Sequence, residues 1–308
     1  MRFDYCTFLF VAAGLALSTR AIAYNTAPGA TDRAAAVAVP RISVATTNGI
    51  PVYDHVVIVV EENTSESSII GNTSEAPYIN MLANDGVYFT QSFAITHPSE
   101  PNYLALFSGS TQGVSDDSCP HTFSASNLGS QLAGAGFSFK GYSESMPSDG
   151  YTGCNSGEYA RRHVPWVNFS NVPASANLTF QSFPTDFTTL PTLSFVIPNL
   201  CDDMHDCTTS TGDTWLSDHI GAYAQWAKAH NSLLIVTWDE DDSSTSANRV
   251  ATIFYGAQLK NGAYSETIDH YGILATLESM YALATLGSGA PITDVWSNDR
   301  IFANDFEL

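Results

Sequence analysis

The chain has 308 residues, enough for one large α/β domain or two small ones, and 44% of it is apolar. It carries 11 basic against 31 acidic residues, a net charge of −20. That balance argues against nucleic acid and anionic membrane surfaces as partners, and it directs attention to the few acidic clusters placed to hold a cation.

Residues 1–23 read as a secretory signal. Arg2 is a short basic start, Phe8 to Leu17 is an apolar run too short to span a bilayer, and Ala21-Ile22-Ala23 is a small-residue cleavage site. Export would place the mature chain, without Cys6, in the periplasm or the medium. No later run reaches about 18 apolar residues, so no transmembrane helix is expected. Residues 24–52 read as a leader or linker, and 53–308 as a single domain.

His55 to Val60 is a β-branched run of the kind buried on both faces of a parallel sheet. It ends in Glu61-Glu62-Asn63. A helix is predicted from Tyr78 to Ala83, stopped by Asn84-Asp85-Gly86. His97-Pro98-Ser99-Glu100-Pro101-Asn102-Tyr103 then reads as a turn opening into a helix from Asn102 to about Phe107, with Pro101 at its first position. Ser99 would lie just ahead of that helix, where free N–H groups and the dipole favour an anion. It is either an N-cap or a nucleophile toward phosphorus. A helix over Leu128–Ala133 and a strand over Phe137–Tyr142 follow. Residues 143–190, rich in Gly, Ser, Asn and Thr, read as a cap or insertion over a site.

Thr192 to Ile197 is a second buried strand, leading to a loop with Asp202, Asp203, His205 and Asp206. Asp213 is expected to cap a helix through Lys228 whose apolar stripe includes Trp215, Leu216, Ile220 and Tyr223. Ser232 to Trp238 is a third strand, ending in Asp239-Glu240-Asp241-Asp242. Val250 to Tyr255 is a fourth, and His270 opens a helix to about Tyr281. The segment from Ile301 to Leu308 has no assigned role. Strands alternating with helices give an α/β domain with a mostly parallel sheet, which binds ligands beyond the carboxyl ends of its strands. Three strand ends here are acidic or polar.

Glu62, Asn63, Asp239 and Glu240 make an oxygen-rich set for a hard or borderline divalent cation. Carboxylates gathered without one would repel and raise each other's pKa. His205 and His270 fall in matching loops. Arg161-Arg162-His163 can grip a phosphate or pair with surface carboxylates. Cys119, Cys154, Cys201 and Cys207 suit two disulfides in an exported chain. Cys201 with Cys207 and Cys119 with Cys154 is the natural pairing, although three pairings are open. A Gly-x-Ser-x-Gly elbow, a Walker loop and a Gly-x-Gly-x-x-Gly turn are all absent from the sequence.

Glu-Glu-Asn at 61–63, His-Pro-Ser-Glu-Pro-Asn-Tyr at 97–103, Asp-Met-His-Asp at 203–206, Trp-Asp-Glu at 238–240 and Asp-His-Tyr at 269–271 together resemble the phosphoesterase family. That family contains bacterial acid phosphatases and phospholipases C and lies within the alkaline phosphatase superfamily. The resemblance implies a three-layer α/β/α sandwich and metal-dependent phosphoryl transfer through a phosphoserine. Ser99 would be the nucleophile, and Asn102 would bond a phosphate oxygen. Glu62, Asn63, Asp239 and Glu240 would hold one or two divalent metals. His205 and His270 would bind phosphate, protonate the leaving oxygen, or hold a second metal. An acid-phosphatase-type monoesterase is the leading reading. A phospholipase C-type diesterase and a non-catalytic secreted binding protein are the alternatives.

Overall fold

The structure is a computed structural model that describes residues 46–297. The expected signal at 1–23 and the segment from Ile301 lie outside the described residues. Thr46–Thr47 and Ile50–Pro51 pair as a short antiparallel hairpin.

Eight strands form the main sheet: β1 His55–Glu61, β2 Val87–Phe93, β3 Phe139–Ser143, β4 Asn177–Thr179, β5 Leu193–Ile197, β6 Ser232–Trp238, β7 Thr252–Gly256 and β8 Gly262–Asp269. Their spatial order is β8-β2-β7-β6-β1-β5-β3-β4. Only β7 runs against its neighbours. The buried runs foreseen in β1, β5 and β6 occupy the centre. β2 escapes a hydrophobicity reading because Thr90, Gln91 and Ser92 interrupt its apolar run.

Alternation along β1 separates two cores. Val56, Ile58 and Val60 face one, with Tyr103, Leu104 and Phe107 of the Ser99 helix and Ile273, Leu274 and Leu277 of the His270 helix. Val57 and Val59 face the other, with Leu216, Ile220 and Tyr223. The result is helix, sheet, helix. Each such buried side chain contributes roughly 1.5–3 kcal/mol.

The helices that matter are α1 Pro77–Asp85, α2 Ser99–Ser108, α3 Leu128–Gly134, α4 Thr209–Ala229 and α5 His270–Met280. Two expectations need correction. Ser99 is the first residue of α2 rather than a residue ahead of it, and Pro98 is the N-cap. Asp213 lies inside α4 and caps α1 instead, accepting from Tyr78 N–H at 3.1 Å and Ile79 N–H at 2.8 Å. A carboxylate within a helix is free to serve a neighbouring helix's N-terminus, so local position alone misassigned its target.

Residues 143–190 add the edge strand β4 and several 3-10 turns. The Arg161–His163 turn reaches the carboxyl edge of the sheet. Trp166 secures it by lying across Gly141 of β3, where an added Cβ would sit 2.1 Å from the indole. The Trp166 Nε1–H donates to Asn177 Oδ1 at 2.8 Å. The disulfides are Cys119–Cys154 and Cys201–Cys207.

Candidate active site

Parallel register brings the acidic motifs together. Trp238 of β6 pairs with Glu61 of β1, so Glu62-Asn63 and Asp239-Glu240 leave neighbouring strands at the same level. The Asn63 N–H donates to Asp239 Oδ1 at 3.3 Å. Neighbouring strands lie about 4.8 Å apart, which is why residues far apart in sequence meet here.

Ser99 enters from α2 and is 2% exposed. Its Oγ lies 3.0 Å from Glu62 Oε2 and 3.1 Å from Glu240 Oε1. One hydroxyl proton serves one acceptor at a time, so the carboxylates are not satisfied by Ser99 alone. Burial, then Asp239 and Asp203, push the Glu62 carboxyl well above its ordinary range. Burial and Glu240 do the same to Asp239, and burial raises Glu240. Asp239 Oδ2 is buried without a hydrogen-bond partner. With its nitrogen inward, the Asn63 amide donates to Glu62 Oε2 at 3.1 Å and Glu240 Oε1 at 3.2 Å. With its oxygen inward, it joins the carboxylates as a fourth acceptor. This donor set fits a divalent cation, because a cation removes the repulsion that otherwise forces protons onto the carboxyls.

His97 stands at the mouth. Its Nδ1 contacts Glu240 Oε2, and its Nε2 lies 3.3 Å from Asp241 Oδ1. That is a positioning contact on Glu240.

The opposite side comes from loops. His163 is 2% exposed and stacks on Tyr103, with ring centroids 5.2 Å apart. Its Nε2 is 3.2 Å from Glu62 Oε1 and its Nδ1 is 3.5 Å from Asp203 Oδ2. Burial, with Arg162 and His205 adding to it, holds the imidazole well below its ordinary pKa. Burial thus favours the neutral ring, in which these contacts are not a full ion pair. Tyr103 O–H donates to the same Glu62 Oε1 at 2.5 Å. Glu62, His163 and Asp203 each offer a ligand atom within 4.8 Å of the others, a second place where a cation fits. The Asp203 carboxyl is raised to about 7, chiefly by burial.

Arg162 is half-buried beside this group, and its charge acts on His163 and Asp203. Among the described residues its side chain makes no hydrogen bond or ion pair, unlike Arg161 and Arg249. His205 lies at the rim, its ring 6.1 Å from that of His163, with Nδ1 2.7 Å from Asp206 Oδ1.

Two expected site residues turn inward. Asn102 Oδ1 accepts from Ile95 and Thr96 N–H at 2.9 and 3.0 Å, and its Nδ2 donates to Thr96 O and Pro98 O at 2.9 and 3.2 Å. Its amide shapes the turn that delivers Ser99. His270 is 1% exposed, with Nε2 2.6 Å from the backbone oxygen of Asp239. It braces the acidic strand end. Two residues without a sequence role enter the site, Tyr103 and Asp203. Tyr103 lies four positions after Ser99, on the same helix face, a spacing that signals proximity. Asp203 carries the coarser signal of a polar loop after a buried strand, and its approach to Glu62 is set by how that loop after β5 folds.

Comparisons with known proteins give the family and the fold. The phosphoesterase family matches residues 72–284. The phosphatidylinositol-3-phosphatase of Mycobacterium tuberculosis is 53% identical over 267 residues, 85% of this chain and 88% of that protein. A probable acid phosphatase of Kluyveromyces lactis is 31% identical over 252 residues, 75% of this chain but only 58% of that protein's length. Among solved structures, a protein in the alkaline phosphatase superfamily from Vibrio parahaemolyticus superposes with a TM-score of 0.58 at 11% identity, covering 85% of this chain and 75% of that one.

Proposed function

The chain belongs to the phosphoesterase family and is a hydrolase of phosphoric esters, and on that premise we propose that it is an exported, metal-dependent phosphomonoesterase of acid-phosphatase type that works through a phosphoserine. The observation that carries this reading is Ser99 Oγ held between Glu62 Oε2 and Glu240 Oε1 at the start of a buried helix.

Glu62, Asn63, Asp239 and Glu240 would hold a divalent cation, with Glu62, His163 and Asp203 offering a second place. Bound there, a cation withdraws charge from the serine oxygen and from phosphate. Ser99 Oγ attacks phosphorus in line; the O–P bond forms as the ester P–O bond breaks. The hydroxyl proton passes to the Glu62 or Glu240 carboxylate. Arg162 binds non-bridging phosphate oxygens, which its free guanidinium supports. His205, half-buried at the rim and oriented by Asp206, protonates the leaving oxygen. Water then cleaves the phosphoserine by the reverse path, and inorganic phosphate leaves.

The nucleophile is buried, whereas His97, His121 and His205 are partly open around it. The leaving group therefore lies toward solvent, and large esters are tolerated. The name of the Mycobacterium relative adds a monoester on a lipid headgroup to the substrates worth testing. No helix among the described residues is long and apolar enough to cross a membrane. Export also accords with the two disulfides.

The test compares an aryl phosphate, phosphatidylinositol 3-phosphate and a phosphocholine diester, with and without a chelator. Hydrolysis of the monoesters that chelation abolishes and added divalent metal restores is expected. Preference for the diester would transfer the assignment to a phospholipase C-type enzyme. Chelator-resistant turnover would overturn the metal dependence.

A further inference from the structure

We propose that Asp117 is a positioning residue for the Ser99 helix, and that the Cys119–Cys154 disulfide, by holding Asp117 in place, makes turnover sensitive to reduction. The consequence for turnover rests on Ser99 being the nucleophile, as argued above.

The N-cap of α2, Pro98, supplies no side-chain hydrogen bond. The Glu100 N–H is accepted instead by Asp117 Oδ1 at 2.9 Å, from the loop that follows the helix. A carboxylate there caps the helix and meets its positive end. It makes no other hydrogen bond among the described residues. The Glu100 side chain extends the grip. Its Oε1 accepts from Asn168 Nδ2 at 2.9 Å, and Asn168 Oδ1 accepts from Arg161 Nε and Nη2 at 3.1 and 3.0 Å. Arg161 donates onward to His121 O at 2.9 Å and Thr152 O at 2.6 Å, and its backbone N–H to Cys154 O at 2.9 Å.

Asp117 and His121 flank Cys119, Thr152 lies two residues before Cys154, and Arg161 is tied to Cys154 through its backbone N–H. The disulfide thus joins the two segments that hold the first turn of α2. Beyond His121 the chain has another anchor. Phe123 N–H donates to Asn168 O at 2.7 Å, Ser170 N–H donates to Phe123 O at 2.9 Å, and the Phe123 ring packs on Phe169. Opening the disulfide would therefore loosen Asp117 without undocking the rest of the segment. Cys201–Cys207 differs. Its loop is also pinned by Glu62 N–H to Asp203 O at 2.8 Å and Asp206 N–H to Leu200 O at 2.7 Å.

The full chain with its metal is treated with tris(2-carboxyethyl)phosphine, which does not introduce a competing thiol. The S–S bond breaks to two thiols, both protons come from water, and the water oxygen ends on phosphorus as the phosphine oxide. Turnover of an aryl phosphate and hydrogen exchange of the amides in 95–107 are measured. A fall in kcat of about tenfold, the scale of a lost helix cap, is expected, with KM moving less and exchange rising at 99–102. Far-ultraviolet circular dichroism should stay unchanged. Cys119→Ser/Cys154→Ser should begin at the reduced level and ignore the phosphine, whereas Cys201→Ser/Cys207→Ser should keep the response. Asp117→Ala should reproduce the loss with the disulfide intact. Asp117→Asn, whose amide oxygen still accepts the Glu100 N–H, should recover most of it, which separates the cap from the carboxylate's charge. Losses from Asp117→Ala and from the Cys119/Cys154 variant that multiply when combined would overturn the proposal. So would unchanged kcat and exchange in protein whose free thiols have been counted. If the double serine variant does not fold, reduction of the folded wild-type chain still decides. Exchange needs no turnover, so a chain inactive on every ester would refute the reading of Ser99 and leave the brace to be judged on exchange alone.

Discussion

The two sides of the site differ in charge and are built by different means: carboxylates dominate one, while the other sets a single guanidinium and two imidazoles beside Asp203. The acidic side, Glu62, Asn63, Asp239 and Glu240, sits one step past two neighbouring parallel strands, and the ladder that pairs Trp238 with Glu61 fixes its spacing. The basic side, Arg162, His163 and His205, comes from a 3-10 turn and a loop. Trp166 on Gly141 and two disulfides hold that side. The difference separates their tasks. A sheet edge holds charges that would otherwise repel within hydrogen-bond reach of one hydroxyl. Loops present the Arg162 guanidinium, which makes no hydrogen bond or ion pair among the described residues.

Several substitutions can break this division, and the largest effect should come at its centre. Ser99→Ala should lower kcat by about a thousandfold or more, since it removes the proposed nucleophile between the two sides. Rapid-quench mass spectrometry should find phosphate on Ser99 of the wild-type chain, and its attachment to another residue would sink the mechanism. On the basic side, Arg162→Ala should raise KM for a monoester about tenfold and weaken competitive inhibition by phosphate similarly, with kcat changed less. A pure loss of kcat would place Arg162 with the acidic side.

The smallest effect lies away from both sides and serves as a reference for fold-wide change. Glu278 on α5 accepts from the Leu286 N–H at 3.0 Å, and burial raises its carboxyl from 4.5 to about 7. Between those values the folded chain holds a proton that the unfolded chain has lost. Its contribution to stability therefore falls as pH rises through that interval. Glu278→Gln should flatten the loss of stability from pH 5 to pH 8, read from denaturant midpoints, while leaving KM unchanged. A midpoint difference that is the same at both pH values would count against the raised pKa.

The acidic side was legible because its chemistry follows regular structure. A β-branched run ending in Glu61-Glu62-Asn63 and another ending in Asp239-Glu240 announce strand ends, and parallel strands gather their ends on one edge. Ser99 was legible as a hydroxyl at a helix start, although its placement inside the first turn was not. Asn102 and His270 were located in the right neighbourhood, but sequence could not tell that their side chains face backbone groups. Asp213 shows the same limit, since a helix interior position says nothing about which neighbouring N-terminus its carboxylate meets.

By itself, then, the sequence determined the alternating α/β plan, the polar strand ends, the serine-bearing turn and four cysteines after residue 23 that suit two disulfides. These follow from periodicity and local turn chemistry, which act over a few residues. Only the tertiary structure decided that Tyr103 and His163 meet on Glu62, that Asp203 approaches from the loop after β5, and that Asp117 caps a helix ending nine residues before it. Those contacts depend on strand order and on how irregular segments pack across Gly141, and no local pattern encodes either.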